Sequence, residues 1–159
     1  MQLPIIEYVR NVIRLKNSGS SEFGKYKNNI ISLMTEWNLK NKKIKRSKEN
    51  DLGATMRLGA YPCFIKKNSL ASKIYRKKMI SERHRHRYEV NPKFKSIIEK
   101  GDLIFSGFSK DKKLLEIVEN KNHKWFLAVQ YHPELKSKPF KPHPIFLSFI
   151  KNSLAHKNV

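Results

Sequence analysis

Three apolar runs follow one another between residues 103 and 131, and they constrain the fold more than any other feature of the chain. The segments LIFSGFS, KLLEIVE and KWFLAVQY are short, rich in β-branched and aromatic residues, and separated by turn-prone stretches. Such runs are typical of strands, and the first two can form a hairpin around SKDKK. The second half of the chain is therefore expected to contain a sheet.

Helical spacing occurs on both sides of this strand-rich region. Near the N-terminus, apolar residues recur at the interval of one helical face and predict a helix over 3–15, formed by Leu3, Ile6, Val9 and Ile13. Two shorter helices are predicted at 69–78, where Ser69 is a candidate N-cap, and at 92–100. A final helix is predicted over 144–156, with one apolar stripe made of Ile145, Phe146, Phe149, Ile150 and Leu154.

The remaining segments have weaker signals. Residues 16–25 are rich in small and polar side chains and predict a loop, whereas NIISLM (29–34) fits either a strand or a buried helical turn. Residues 55–66 show two short strand-like runs, with a bend or a hairpin-like connection expected around Gly59 and Pro62. Helices and strands mixed in this order predict an α/β domain.

The segment MISERHRHRYEV alternates arginine with histidine. On a strand, the arginines would point to one side of the sheet and the histidines to the other. We expect structural ion pairing from this group, which consists of Arg83, His84, Arg85 and His86.

The chain is strongly basic, with 34 lysines and arginines against 13 acidic residues and a formal net charge of +21. Such a charge binds polyanions at low salt whatever the biological role. The lysines are scattered in short runs, the densest being an exposed excursion predicted at 38–48. No nucleic-acid-binding signature accompanies them, so composition alone does not indicate a dedicated nucleic-acid surface.

Length and cysteine content narrow the class of protein further. The 159 residues suit one domain or a large part of one. No apolar run approaches the roughly 18 residues of a membrane span, and the N-terminus lacks a secretory pattern, so the cytoplasm is the expected compartment. One cysteine, Cys63, excludes an internal disulfide and a multi-thiolate zinc site.

The segment VQYHPEL ends the last apolar run with His132, Pro133 and Glu134. In an extended segment, positions two apart project to the same side, so a histidine base and an orienting carboxylate could be presented together. A polar turn at the strand end, with a solvated glutamate, fits the same heptapeptide. These seven residues leave both interpretations open.

Four longer segments resemble, in order and spacing, the glutaminase domain of the CTP synthase family, a class I glutamine amidotransferase domain. They are MQLPIIEYVRNVI, GATMRLGAYPC, ISERHRHRYEVN and NHKWFLAVQYHPELKSKPFKPHPIFLSFIK. The match runs from Met1 to about Lys151. It implies an incomplete class I amidotransferase domain with a flavodoxin-like, three-layer α/β fold over residues 1–159.

The resemblance also implies that the nucleophile is not in this chain. In the family, the reactive cysteine lies in a Gly-Ile-Cys-Leu-Gly turn followed at once by Met-Gln, and here Met1 and Gln2 begin the sequence. The cysteine and the first strands of the domain would therefore precede Met1. Cys63 matches a non-catalytic position, and a strand cysteine is usually a small apolar core residue.

Individual roles follow from the resemblance residue by residue. His132 would be the base and Glu134 its orienting acid. L-Glutamine would be bound by the nucleophile-turn residues Met1 and Gln2, by Glu22 through its α-ammonium group and by Arg87 through its α-carboxylate. A zinc site from His84, His86 and His132 is arithmetically possible, but the strand already explains the histidine spacing, and no metal is expected.

Two functional hypotheses compete. In the first, the chain is the C-terminal part of a glutamine-hydrolysing CTP synthase that supplies ammonia for the ATP-dependent amination of UTP, and it is inactive alone. The synthetase domain, with its ATP and magnesium, is absent, so this chain holds no cofactor itself and a separate chain could carry the missing parts. In the second, a basic fragment binds nucleic acid or another partner.

Overall fold

The three-dimensional structure is a computed structural model, and it describes residues 1–33 and 56–157. The basic excursion predicted at 38–48 lies outside the described residues. Within them, no helix combines the length and the hydrophobicity that a bilayer span requires.

The N-terminal helix α1 (Gln2–Asn11) packs its apolar side into the main core through Ile5, Ile6, Tyr8 and Val9. The helix is shorter than the predicted range 3–15. The amides of Val12 and Ile13 both donate to the carbonyl of Tyr8, and Arg14 then adopts a left-handed conformation with φ of 59°. Such a residue ends a helix, although the apolar spacing continues beyond it.

A small sheet lies beside this helix, with strand order β1-β2-β5. Its strands are β1 (Ser18–Ser20), β2 (Asn28–Leu33) and β5 (Tyr88–Val90), and β2 pairs in parallel with β1 and antiparallel with β5. The prediction of a loop over 16–25 is thus wrong at 18–20. The composition of this segment predicts a turn, but pairing with β2 supplies the strand, and the Tyr26 ring lies where a side chain at Gly19 would be.

The larger sheet is antiparallel, with strand order β4-β3-β6-β7-β8. Its strands are β3 (Arg57–Ile65), β4 (Met79–His86), β6 (Leu103–Phe108), β7 (Leu115–Asn120) and β8 (Leu127–Val129). The hairpin predicted between LIFSGFS and KLLEIVE is confirmed as β6 and β7.

The expected bend or hairpin-like connection around Gly59 and Pro62 is wrong, because β3 is one continuous strand. It pairs with β4 along nearly its whole length but meets β6 only at Phe64 and Ile65. None of the other described strands pairs with the second side of residues 57–63, and Pro62 can lie there because its missing N–H breaks no bond to β4.

Three further helices complete the described fold. Helix α2 (Leu70–Tyr75) begins after the predicted N-cap Ser69. Helix α3 (Lys95–Ile98) follows a 3₁₀ turn at Pro92–Phe94, so the α-helical part is shorter than the predicted range 92–100. Helix α4 spans Pro144–Ala155, as its spacing predicts. The carboxylate of Glu119 on β7 accepts hydrogen bonds from the amides of Leu70 and Ala71, each 2.8 Å long, and so fixes α2 to the sheet.

The apolar stripe predicted on α4 is largely exposed. Only Ile145 is buried on this helix, whereas Phe146, Phe149, Ile150 and Leu154 are between 37% and 64% exposed. The helix contacts α2, and the ring of Trp125 lies 5.2 Å from that of Phe149, but these neighbours leave most of the stripe exposed. Helical spacing thus identifies the apolar face, but burial requires a neighbouring element.

Cys63 lies in the second of two apolar clusters, together with Ile65, Tyr75, Ile80 and Tyr131. Its thiol is fully buried, and this burial, reinforced by the charge of Glu116, raises its pKa far above the ordinary value. The thiolate that nucleophilic chemistry requires is therefore disfavoured at this position.

The large sheet also contains a polar core, centred on Arg57. One of its guanidinium nitrogens (Nη1) lies 2.8 Å from Glu116 Oε1 on β7 and 3.2 Å from Glu89 Oε1 on β5. All three side chains are at least 93% buried. Burial raises the pKa of Glu89 to about 8 despite the neighbouring Arg57, so this carboxyl is largely protonated at neutral pH.

The alternation predicted for β4 is confirmed, since His84 is buried beside Ile80 and Glu82 while Arg83 and Arg85 are exposed. The expected ion pairing needs correction. Burial, with Arg57 nearby, lowers the pKa of His84 to about 3 and that of His86 to about 4, so both rings are neutral at pH 7. Among the described residues, neither arginine has a carboxylate within 4.0 Å.

We predict that stability is highest between about pH 6 and 7. The two histidines bind protons more weakly in the folded chain, with pKa values of about 3 and 4 against 6.5, so acidification below 6.5 favours unfolding. Folded Glu89 binds its proton more tightly, with a pKa of about 8 against 4.5, so stability falls as the pH rises toward 8. Urea unfolding between pH 5 and 8.5 measures both limbs, each proton contributing up to about 1.4 kcal/mol per pH unit.

The substitution Glu89→Gln separates these contributions. It imitates the protonated acid and should flatten the alkaline limb, whereas Glu7→Gln, at an exposed position on α1, should leave that limb unchanged. An alkaline decline that is equally steep in Glu89→Gln would contradict the assignment to Glu89.

For Cys63, we predict that Ellman's reagent does not modify the thiol of the folded chain within an hour at pH 8, but modifies it at once in 6 M guanidinium chloride. Burial and the raised pKa both suppress the reactive thiolate. Rapid modification under native conditions would show that the thiol is accessible.

Candidate functional site

His132 lies at the point where the chain leaves β8. Its backbone amide donates to the carbonyl of Arg83 on β4 over 2.8 Å, which anchors the segment to the opposite edge strand of the sheet. Pro133 then begins a 3₁₀ turn that extends to Leu135. The segment is thus a turn, and not the extended strand end that would bring alternate side chains together.

The side chains of His132 and Glu134 nevertheless meet. His132 Nδ1 lies 2.6 Å from Glu134 Oε1, with the two side chains 39% and 57% exposed. Partial burial acts to raise the pKa of Glu134, but the hydrogen bond and charge of His132 outweigh it, and the net pKa is lowered. The carboxylate is therefore ionised, and it occupies one ring nitrogen of the histidine while leaving Nε2 for another partner.

A cavity of about 310 Å³ lies beside this pair. One wall is the start of α1, and the other is the segment that leads from β8 to His132, together with one histidine of β4. The lining residues are Met1, Gln2, Leu3, Pro4, His86, Val129, Gln130, Tyr131 and His132. Three residues singled out from the sequence, Met1, Gln2 and His132, thus share one cavity.

The other two predicted ligands of glutamine do not line this cavity. Glu22 is exposed in the turn between β1 and β2, where its amide donates to Ser20 Oγ over 3.2 Å. Arg87 is half-buried between β4 and β5. Its backbone neighbours, His86 and Tyr88, both contact residues of the cavity wall.

The carbonyl of Tyr88 is the common acceptor that holds this wall together. The side-chain nitrogens (Nε2) of Gln2 and Gln130 each donate to it over 2.8 Å, and Nδ1 of His86 lies 3.1 Å away. One backbone oxygen therefore joins the first turn of α1, the start of β5 and the residue two positions before His132.

Gln130 and His86 also line the cavity, although neither is predicted from the sequence to bind glutamine. Two signals were available in the sequence. Gln130 is a polar residue directly before the Tyr-His-Pro-Glu segment, and His86 lies on the same side of its strand as His84. Their meeting depends on the packing of β4 against the β8 segment, which the sequence pattern does not encode.

Tyr131 anchors the segment that carries His132 to helix α2. Its side chain is 3% exposed, and its hydroxyl lies 2.9 Å from the hydroxyl of Tyr75 on α2. As for a metal, the described ranges 1–33 and 56–157 contain no group of three histidine, cysteine or acidic residues arranged to hold one. His84, His86 and His132 are not such a group.

Comparison with known proteins identifies the family. The family model for glutamine amidotransferase class-I matches residues 1–152. The CTP synthase of Pelagibacter ubique (strain HTCC1062) is 57% identical over 157 residues, which cover 99% of this chain and 29% of that protein. The CTP synthase of Hyphomonas neptunium is 53% identical over 150 residues, 94% of this chain and 28% of the relative.

A solved structure, described as the Trypanosoma brucei CTPS glutaminase domain with bound acivicin, superposes with a TM-score of 0.83 at 34% identity. The superposition covers 98% of this chain and 57% of that one. This confirms the predicted glutaminase-type α/β fold. The chain spans about three tenths of the length of the two curated relatives. It belongs to the class I glutamine amidotransferase family, and the region of CTP synthases that it resembles is the glutaminase domain.

Proposed function

We propose that this chain supplies the base half of a glutaminase site, whose ammonia aminates UTP to CTP in an ATP-dependent reaction. The observation that carries the proposal is the 2.6 Å contact between His132 and Glu134 beside a cavity that Met1 and Gln2 line. Residues 1–159 then correspond to the C-terminal portion of a CTP synthase-type glutaminase domain.

His132 is the general base in this proposal. Its Nδ1 is held by the ionised Glu134, so its Nε2 is left to take the proton of a nucleophilic thiol and later return it to the leaving ammonia. The anchored amide of His132 keeps the ring in place while the carboxylate stabilises the imidazolium that forms.

Glutamine is the proposed substrate, and two charged side chains bind its α-ammonium and α-carboxylate groups. The carboxylate of Glu22 suits the α-ammonium group, and the guanidinium of Arg87 suits the α-carboxylate through paired hydrogen bonds. Both assignments rest on the family resemblance. Arg87 lies directly between His86 and Tyr88, two residues that the cavity wall holds in place.

The proposed reaction needs a nucleophile that Cys63 does not provide, because its thiol is fully buried with a raised pKa. By resemblance, the nucleophile turn belongs directly before Met1, and the synthetase domain that uses ATP and magnesium belongs further upstream. A preceding segment or a separate chain would supply both.

One observation favours a second candidate, the binding of a polyanion. A cavity of about 270 Å³ is lined by Lys67, Arg76, Lys77 and Lys78, with Asn68, Ser72 and Ile65. In the part of the chain that the structure describes, none of the four cations has a carboxylate within 4.0 Å. Uncompensated cations around one cavity attract phosphate groups.

We predict that the chain alone hydrolyses no glutamine above background. A fusion that places the corresponding upstream region of the Pelagibacter ubique relative before Met1 should hydrolyse it. His132→Ala should lower kcat of the fusion at least about a thousandfold, since removing a triad base costs that order of rate. Ammonia release measures both.

Two matched substitutions complete this test. Cys63→Ser should leave the activity of the fusion unchanged, and Glu134→Gln should lower kcat by a smaller factor than His132→Ala. Turnover by the unfused chain that Cys63→Ser abolishes would contradict the proposed division of the site.

For the second candidate, we predict that polyanion binding depends on the overall charge of the chain and not on this cavity. The variant Lys67→Gln with Lys77→Gln and the control Lys121→Gln with Lys124→Gln should weaken binding of a twelve-nucleotide polyuridylate equally, and binding should vanish near 150 mM salt. A tenfold loss confined to the first variant, with a salt slope reduced by about two, would establish the cavity as a binding site.

A further inference from the structure

A continuous line of polar contacts runs from the cavity wall into the core. It begins at Gln130 Nε2, which lies 3.2 Å from Nδ1 of His86. Nε2 of His86 lies 2.8 Å from Nδ1 of His84, and Nε2 of His84 lies 3.4 Å from Oε2 of Glu116. The other oxygen of Glu116 accepts from Arg57 over 2.8 Å.

Proton counting allows only two arrangements of this line. A neutral imidazole has one N–H donor and one acceptor nitrogen, and the two rings share a single hydrogen bond. Either both rings carry their proton on Nε2 and donate inward, toward Glu116, or both carry it on Nδ1 and donate outward, toward the carbonyl of Tyr88. A proton on the facing nitrogens of both rings, or on neither, would break the 2.8 Å contact.

The outer end of the line selects the inward arrangement. A carbonyl oxygen has two lone pairs, and that of Tyr88 already accepts from Gln2 and Gln130 at 2.8 Å. The second hydrogen of the Gln130 amide is then available to Nδ1 of His86, which acts as an acceptor.

The inner end of this line, where His84 faces Glu116, also favours the inward arrangement. Nε2 of His84 and Oε2 of Glu116 are both buried without another hydrogen-bond partner, and they face each other at 3.4 Å. Burial raises the pKa of Glu116, but Arg57 opposes this, and because Glu89 is largely protonated, Glu116 is the carboxylate that balances the charge of Arg57. A proton on Nε2 of His84 then satisfies both atoms, whereas a lone pair there would face this carboxylate. Buried polar atoms are nearly always paired, so this end also requires the inward arrangement.

We propose that Gln130, His86 and His84 form a relay of fixed tautomers that positions the two sides of the glutamine site. The relay fixes the backbone on both sides of Arg87, because His86 precedes this residue and Tyr88 follows it. It also fixes Gln130, two positions before His132. Gln130, His86 and His84 are therefore positioning residues. Their role in binding the substrate rests on the proposed glutaminase function.

The relay explains why two histidines are buried beside an arginine. Among the described residues, the charged groups that act on it include Arg57 from β3, Glu89 from β5, Glu116 from β7, His132 from the segment after β8 and the terminal ammonium group of Met1. Arg57 disfavours a second positive charge on either ring, so the relay remains neutral and directional.

The test is the tautomeric state of both rings in the 159-residue chain at pH 7, read from long-range proton–nitrogen NMR correlations. We expect His84 and His86 both to carry the proton on Nε2. Gln130→Met removes the donor to Nδ1 of His86, so the resonance of this nitrogen should shift downfield, while the contact with Glu116 keeps the proton of both rings on Nε2. Leu135→Ala, an exposed residue beside Glu134, is the control and should change neither ring.

The same substitutions, made in the fusion with the upstream region of the Pelagibacter ubique relative, test the positioning role through the KM for L-glutamine. Gln130→Met should raise this KM about tenfold and Leu135→Ala less than twofold. An Nδ1 proton on either ring of the unmodified chain overturns the relay even if Gln130→Met fails to fold. Expected tautomers with an unchanged KM in Gln130→Met overturn the positioning role. If the fusion binds no glutamine, the proposed substrate is wrong, and the tautomers in the 159-residue chain still decide whether the relay exists.

Discussion

A single buried guanidinium joins the two sheets of this domain. Arg57 belongs to β3 of the large sheet, and its partners are Glu116 on β7 of the same sheet and Glu89 on β5 of the small one. A buried charge without partners costs several kcal/mol, so the sheets must meet in the one arrangement that brings both carboxyls to Arg57. Burial keeps Glu89 largely protonated, which leaves Arg57 and Glu116 as a balanced pair.

The candidate site is built outward from this pair. Glu116 faces His84, His84 bonds to His86, and His86 reaches the cavity wall that Gln130 and the Tyr88 carbonyl form. The same carbonyl binds Gln2, so α1 is oriented against the segment that carries His132. His132, the proposed base, thereby acquires a defined position relative to the helix that, by family resemblance, follows the nucleophile.

Several elements could be predicted because their signal is local. The Ser69 cap, the β6–β7 hairpin and the alternation on β4 each depend on a few neighbouring residues, and the structure contains all three. Predictions failed where a distant partner decides the outcome. Residues 18–20 form a strand only because β2 lies alongside, and the stripe on α4 is exposed because burial needs an opposing surface. His132 and Glu134 meet through a 3₁₀ turn, although the expected route was an extended strand.

The sequence by itself determined the family, because motifs and their spacing encode it directly. Through the family resemblance it also predicted His132 as a base, Glu134 as its acid and Cys63 as a non-catalytic residue. Only the tertiary structure revealed the Tyr88 carbonyl as a shared acceptor, the burial of His84 and His86 as neutral rings, and the convergence of Met1, Gln2 and His132 on one cavity. The physical reason is that hydrogen-bond direction and desolvation depend on atoms brought together from β3, β4, β5, β7 and α1. No local stretch of the chain contains that arrangement.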